Sequence, residues 1–164
     1  MSDENRFLLQ RIQPAMVGLI DGSLSTLAPI FGIAFYTHKP HAAFVAGLAT
    51  AIGAGISMAF SEGLSDTGVL TGRGNPLVRG TITGVGTFIG GILHTLPFLI
   101  PHYGVAIVTA IIVVGFELLV LAWLRWRYFE DSFVRALGIV TLGGVIIASV
   151  SAGLGSLIGG GTAT

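Results

Sequence analysis

The chain contains no cysteine. That excludes disulfides, thiolate metal sites, iron–sulfur clusters and cysteine nucleophiles. Charge is the next scarcity. Only 10% of the 164 residues are charged, against about 25% in an ordinary soluble domain. So few charges cannot cover a globule of this size with a hydrated surface, and lipid is the natural solvent. No basic tail or stripe exists, and 8 basic residues balance 8 acidic ones. Nucleic acid is therefore not an expected partner. The polar N-terminus, residues 1–13, lacks the basic stub, short apolar core and small-residue cleavage site of a signal peptide. The first apolar run reads as a permanent helix. What the chain has in abundance is apolar residues, at 52%, and 25 glycines. In water each helical glycine would cost roughly 1 kcal/mol against alanine. Between membrane helices glycine lets backbones approach closely.

A membrane span needs about 20 mainly apolar residues. Five windows qualify: Pro14 to Tyr36, Ala42 to Leu64, Leu77 to Ile100, Tyr103 to Leu124 and Phe133 to Ile158. The expected architecture is all-α, one membrane domain over 14–164 behind a cytoplasmic segment at 1–13. Arg6, Arg11, Arg73, Arg79, Arg125, Arg127 and Arg135 fall on one side of a five-span arrangement, and only Lys39 on the other. The bias of basic residues toward the cytoplasm then puts the N-terminus inside and the C-terminus outside or in a lumen. The destination is the plasma or inner membrane in a bacterium, and a vacuole-type membrane in a eukaryote.

Ionisable groups in hydrocarbon cost at least about 2.5–3.5 kcal/mol at mid-helix, so each needs a partner or a function. Asp21 and Glu117 each fall roughly 10 Å inside the cytoplasmic boundary of their spans. Met58 shares that level, and Glu62, four residues on, lies on the same helix face just below. With no arginine expected at that depth, such carboxylates must hold protons or cations. Carboxylates mixed with a thioether suit iron(II) or manganese(II). Asp21, Met58, Glu62 and Glu117 are therefore the candidate metal ligands. Pro29 should break the hydrogen bond to the Ser25 carbonyl and kink the first span, on the face that carries Asp21. His38, His41, His94 and His102 all read as outer-side residues, with His94 about 24 Å along the third span. They are candidates for metal release or proton entry, set against a reading as unrelated interfacial histidines. The pairs Gly18–Gly22, Gly80–Gly84, Gly86–Gly90 and Gly155–Gly159 predict close helix crossings, within a bundle or a homodimer. No nucleophile, base and acid share one membrane level, so an enzyme is not expected.

Two stretches resemble the vacuolar iron transporter family. Met16-Val-Gly-Leu-Ile-Asp-Gly22, with Gly32 beyond it, is similar to that family's first helix. The stretch from Ala46 through Ser57-Met58-Ala59, with Glu62 and Ser65, is similar to its second. The resemblance implies a dimer of five-helix subunits that exports iron(II) or manganese(II) from the cytosol in exchange for protons. It assigns the path to Asp21, Met58 and Glu62. The metal is cargo, and no permanent cofactor is implied. Family members carry a glutamate-rich cytoplasmic domain between spans two and three. Here only Ser65 to Pro76 stands there, with Asp66 as its one acid. The family's Gly-Glu-Tyr reads Ser61-Glu62-Gly63. A bacterial exporter domain without its ferritin-like partner is a closer comparison. The competing readings are a non-transporting scaffold that docks a partner through glycine-lined faces, and a cation channel.

Overall fold

The computed structural model describes residues 2–129 and 132–160. Among these there is no strand, and every long element is a helix. The first span is one helical rod over Asp3–Thr37. It is made of α1 (Asp3–Phe7), a π-helical turn (Leu8–Ile12), α2 (Gln13–Ser25) and α3 (Leu27–Thr37). From residue 3 onward the polar N-terminal segment is helical and runs on into the first span. The Ser2 hydroxyl accepts from the Asn5 N–H at 3.3 Å, and Asp3 and Glu4 occupy the first turn. Cap and acids together start the helix at Asp3, eleven residues before the apolar run begins at Pro14. The second span is α4 (Pro40–Ser65), the third α5 (Pro76–Leu93), the fourth α6 (Tyr103–Phe129) and the fifth α7 (Phe133–Gly160).

Local chemistry sets the boundaries. His38 closes α3 in the left-handed region at φ 53°. Pro40 and Pro76 open α4 and α5 where a missing N–H costs nothing. The Asn75 carboxamide oxygen caps α5, accepting from Leu77 N at 2.8 Å and Val78 N at 3.4 Å. The third span is shorter than its apolar window. Pro97 cannot supply the next helical hydrogen bond, so the chain turns at His94 and finishes as a 3₁₀ turn over Leu96–Leu99. The fourth is longer, because Arg125 to Phe129 stay helical.

The third span, α5, lies between α2 and α4, while α3 packs along α7. Helix α6 leans on the 3₁₀ turn, α2 and α7. One apolar cluster joins Ile30, Ala34, Ala43, Phe98, Ala106 and Ala110. A second joins Met16, Leu118, Leu121 and Val140. Large apolar side chains point outward on every long helix, as with Phe116 and Leu157. This inversion of a soluble surface, with five helices long and apolar enough to span, is that of a multi-pass helical membrane protein.

The glycine pairs are spent inside the chain. A methyl on Gly18 or Gly22 would meet the Thr83 or Thr87 carbonyl. Gly86 and Gly90 answer from α5, where a methyl would lie 3.0 Å from Ala15 O and 2.5 Å from Leu19 O. Gly80 and Gly84 meet α4 at Ala59 O and Gly55 O, at 2.5 and 2.6 Å. Gly155 and Gly159 meet α3 at Gly32 and Tyr36. All four pairs face this chain's own helices, while Gly53, Gly104, Gly115, Gly138 and Gly153 have nothing within 4 Å.

Candidate functional site

The three acids of the spans have three different environments. Glu62, near the end of α4, is not without counter-charge. Its Oε1 accepts from Arg73 Nη2 at 2.7 Å and from Arg79 Nε at 2.9 Å. Arg79 is fully buried, although it was expected at the headgroups. Its Nη2 reaches Asp66 Oδ2 at 3.4 Å and the Asp66 carbonyl at 3.2 Å, and Nη1 reaches the Gly74 carbonyl at 3.3 Å. A buried guanidinium at the C-terminus of α4 thus collects carboxylates and orphan carbonyls together. Arg73 Nη1 adds a 3.3 Å bond to Asp66, and Gln10 Nε2 donates to Gly72 O at 3.0 Å, tying the loop to the first span. Burial would raise the Asp66 carboxyl. The Gly68 N–H, the Thr71 hydroxyl, Arg79 and Arg73 outweigh it and hold it below the usual carboxylate range. Glu62 therefore belongs to an ionic clasp rather than to an open ligand set.

Glu117 has a different partner. Its Oε2 lies 2.7 Å from His94 Nδ1, and both side chains are almost wholly buried. The other ring nitrogen, Nε2, lies 2.6 Å from the Thr26 hydroxyl. Thr26 sits between α2 and α3, three residues before Pro29, where the helical ladder is interrupted as the proline requires. Two expectations change here. His94 is not an outer-side residue, because Thr26 is about 16 Å below the end of α3 and Glu117 about 21 Å below the start of α6. Glu117 is not grouped with Asp21 and Glu62, because histidine has taken it.

Asp21 is what remains. It is half-buried, and no hydrogen bond or ion pair is found for it among the described residues. Leu19 and Ser23, on either side in sequence, line a cavity shared with Glu117. At about 100° per residue, Asp21 is on the opposite side of α2 from both. It shares a stripe with Val17, Ser25 and Ala28, turned away from α5. The Ser25 hydroxyl on that stripe is buried and has no partner. Gly47 abuts Ile30, and Ala51 and Thr26 converge on Gly91, which fixes the antiparallel register of α4 against the first span. Continued along the helix, that register sets Met58 at the height of Leu19, but α5 lies between α2 and α4 and Asp21 is turned away from α5, so the structure does not bring the expected pair Asp21 and Met58 together. Met58 is half-buried.

No family model, no curated protein and no solved structure matches this chain. Nor do any three His, Asp or Glu side chains converge on a common ion position among the described residues. His38 rests against the Tyr103 ring at 5.1 Å and His41 against Phe44 at 6.4 Å. His102 is exposed. These three do not form one outer site.

Sequence reasoning missed both buried pairings. Each had a trace. Glu62 and Arg79 flank one short hairpin, and Pro97 marks where the third span must stop being α-helical, which leaves His94 at depth.

Proposed function

We propose that the chain is a membrane transporter for a divalent transition metal, iron(II) or manganese(II), moved out of the cytosol in exchange for protons by a homodimer. Asp21 is the charged contact for the cargo and Ser25 a second oxygen donor, while Met58, across α5 from them, would be a soft contact at a separate point of the path. The observation that carries this reading is Asp21 itself. Glu62 has two arginines and Glu117 has a histidine, whereas Asp21 has no hydrogen bond or ion pair among the described residues and shares its stripe with an unpartnered hydroxyl. A carboxylate so placed is stable as an anion only when a mobile cation visits it. One chain offers too few ligands for a tight site, which suits release. A second copy apposed at Asp21 would double the carboxylates.

The N-terminus faces the cytosol in this reading, because the clasp and the other arginine-bearing ends share that side. Proteoliposome uptake of Fe(II), Mn(II), Co(II) and Zn(II), with and without an imposed pH gradient, is the test. Wild-type protein should carry at least one of these ions faster with the gradient, and Asp21→Asn should abolish the flux. Undiminished flux through Asp21→Asn would remove the basis of the proposal.

A further inference from the structure

The Thr26 hydroxyl has one proton and two close neighbours. It lies 2.8 Å from the Gly22 carbonyl and 2.6 Å from His94 Nε2. A carbonyl cannot donate, so the hydroxyl proton goes to Gly22. The need is real at this break, because the Thr26 N–H has turned to the Leu24 carbonyl and the hydroxyl serves Gly22 in its stead. With that proton donated to the Gly22 carbonyl, the proton in the second contact comes from Nε2; with it donated to Nε2 instead, Gly22 loses its bond. The 2.7 Å contact between His94 Nδ1 and Glu117 Oε2 needs a proton as well. It sits either on Nδ1, giving imidazolium and carboxylate, or on Glu117, giving a neutral acid and a neutral ring. Both forms hold two protons and are neutral overall. Losing one proton leaves a net negative charge in an apolar core and strips either Gly22 or His94 of a bond.

We infer that His94, Glu117 and Thr26 form a buried proton-carrying site, which takes up and releases one proton as a unit. The second carboxylate oxygen of Glu117, Oε1, is buried and has no partner. Glu117 borders a cavity of about 100 Å³ between α2, α5 and α6, with Ser23, Leu19, Gly90 and Leu124 among its walls. Its walls are otherwise apolar, with Leu93, Phe116, Val120 and Leu121 completing them, so Glu117 and Ser23 are the only side chains there that could hold a water. No other ionisable group tunes the pair at short range. Between the charged rims, α4, α5, α6 and α7 present none in the described residues, and Asp21 is on the opposite side of α2 from the cavity. Because the trio spans the proline break, its proton count and the bend of the first span are linked. Asp21 lies on the α2 side of that bend.

The inference supplies the proton half of the transport reading and in that respect rests on it. Its direct test does not. Full-length protein carrying ¹⁵N-histidine, in lipid nanodiscs, would be followed by solid-state NMR and infrared spectroscopy across pH, with Thr26→Val identifying the His94 signals and His94→Gln serving if that variant fails to fold. Near neutral pH, His94 Nε2 should carry a proton, accompanied by either a protonated Nδ1 or a protonated Glu117 carboxyl. One proton per chain should leave as pH rises, with the His94 and Glu117 signals changing together. An unprotonated Nε2 near neutrality, or signals that ignore pH throughout, would overturn the inference. In proteoliposomes, Glu117→Gln should abolish the acceleration of metal flux by the pH gradient. Gradient-driven flux that survives Glu117→Gln refutes the proton site and leaves the transporter standing. Wild-type protein that carries no metal refutes the transporter, and the spectroscopy alone then decides the proton site.

Discussion

A guanidinium with no solvent contact cannot be neutralised by losing its proton, so Arg79 is stable only while Glu62 and Asp66 surround it. Replacing it with methionine leaves Glu62 short of its buried partner, and breaking such a pair costs about 3–5 kcal/mol. Arg73 touches the same carboxylate but is 22% exposed, and its loss should cost about 1 kcal/mol or less. Thermal unfolding in detergent should therefore rank Arg79→Met well below Arg73→Met. Glu62→Gln combined with Arg79→Met should recover part of the loss, since no lone charge remains. The clasp also has a pH window with a definite sign. The Asp66 carboxyl is held below its ordinary range in the folded protein. Its contribution is complete above the unfolded value of about 3.9 and fades only as pH falls through the lower folded one. Hydrogen exchange of the 66–75 loop should stay slow through mildly acidic pH and quicken below that window. Partnerships of this kind were only half legible. Composition and depth pointed to the acids, but the sequence could not say that Arg79 bends inward. That depends on a loop whose glycines at 68, 72 and 74 adopt φ values of 78°, 70° and 74°.

Helices cross here wherever glycine removes the side chain, and the glycines divide by what a methyl would meet. At Gly22 it would strike the Thr87 backbone, which cannot swing aside, whereas at Gly153 nothing lies within 4 Å. Gly22→Ala should destabilise by about 1–3 kcal/mol, the usual cost of overpacking, or more where backbone must part. Gly153→Ala should be neutral or stabilising by up to about 1 kcal/mol, through helix propensity alone. Paired melting curves in nanodiscs would separate them, and equal effects would contradict the crossing of α2 and α5. The existence and order of these elements could be read directly, because twenty apolar residues in a row have few other uses. Their ends could not. Ser2 with Asp3 and Glu4 begins the first helix inside a stretch whose polarity looked like a tail. Pro97 ends the third inside a stretch whose hydropathy did not falter. Hydropathy reports solvent, and helix ends are set by caps and missing donors, so the two disagree wherever a cap lies in a polar run or a proline in an apolar one.

Exposed apolar area says little about where a second copy would sit. Lipid tails are as apolar as leucine, so a bare helix such as α7, whose span is 11% buried, gains nothing in hydrophobic terms from being covered. Polar atoms are the better guide, since hydrocarbon offers them no partner. Asp21 is only half-buried and has no hydrogen bond among the described residues, and α6 and α7 present no carboxylate outward among those residues. The proposed dimer should therefore close on α2 rather than on the broad apolar faces. A chain without native cysteine makes the test clean. Single cysteines at Val17, which is 40% exposed, and at Ile112 and Ile139, which are 65% and 54% exposed, sample the stripe and two lipid-facing controls. Under mild oxidation in native membranes, Val17→Cys should yield a disulfide-linked dimer while Ile112→Cys and Ile139→Cys stay monomeric. Crosslinks at the controls but not at Val17 would place the contact elsewhere. Asp21 would then face acyl chains with no second carboxylate to help hold a cation, and metal transport through this stripe would lose its physical basis.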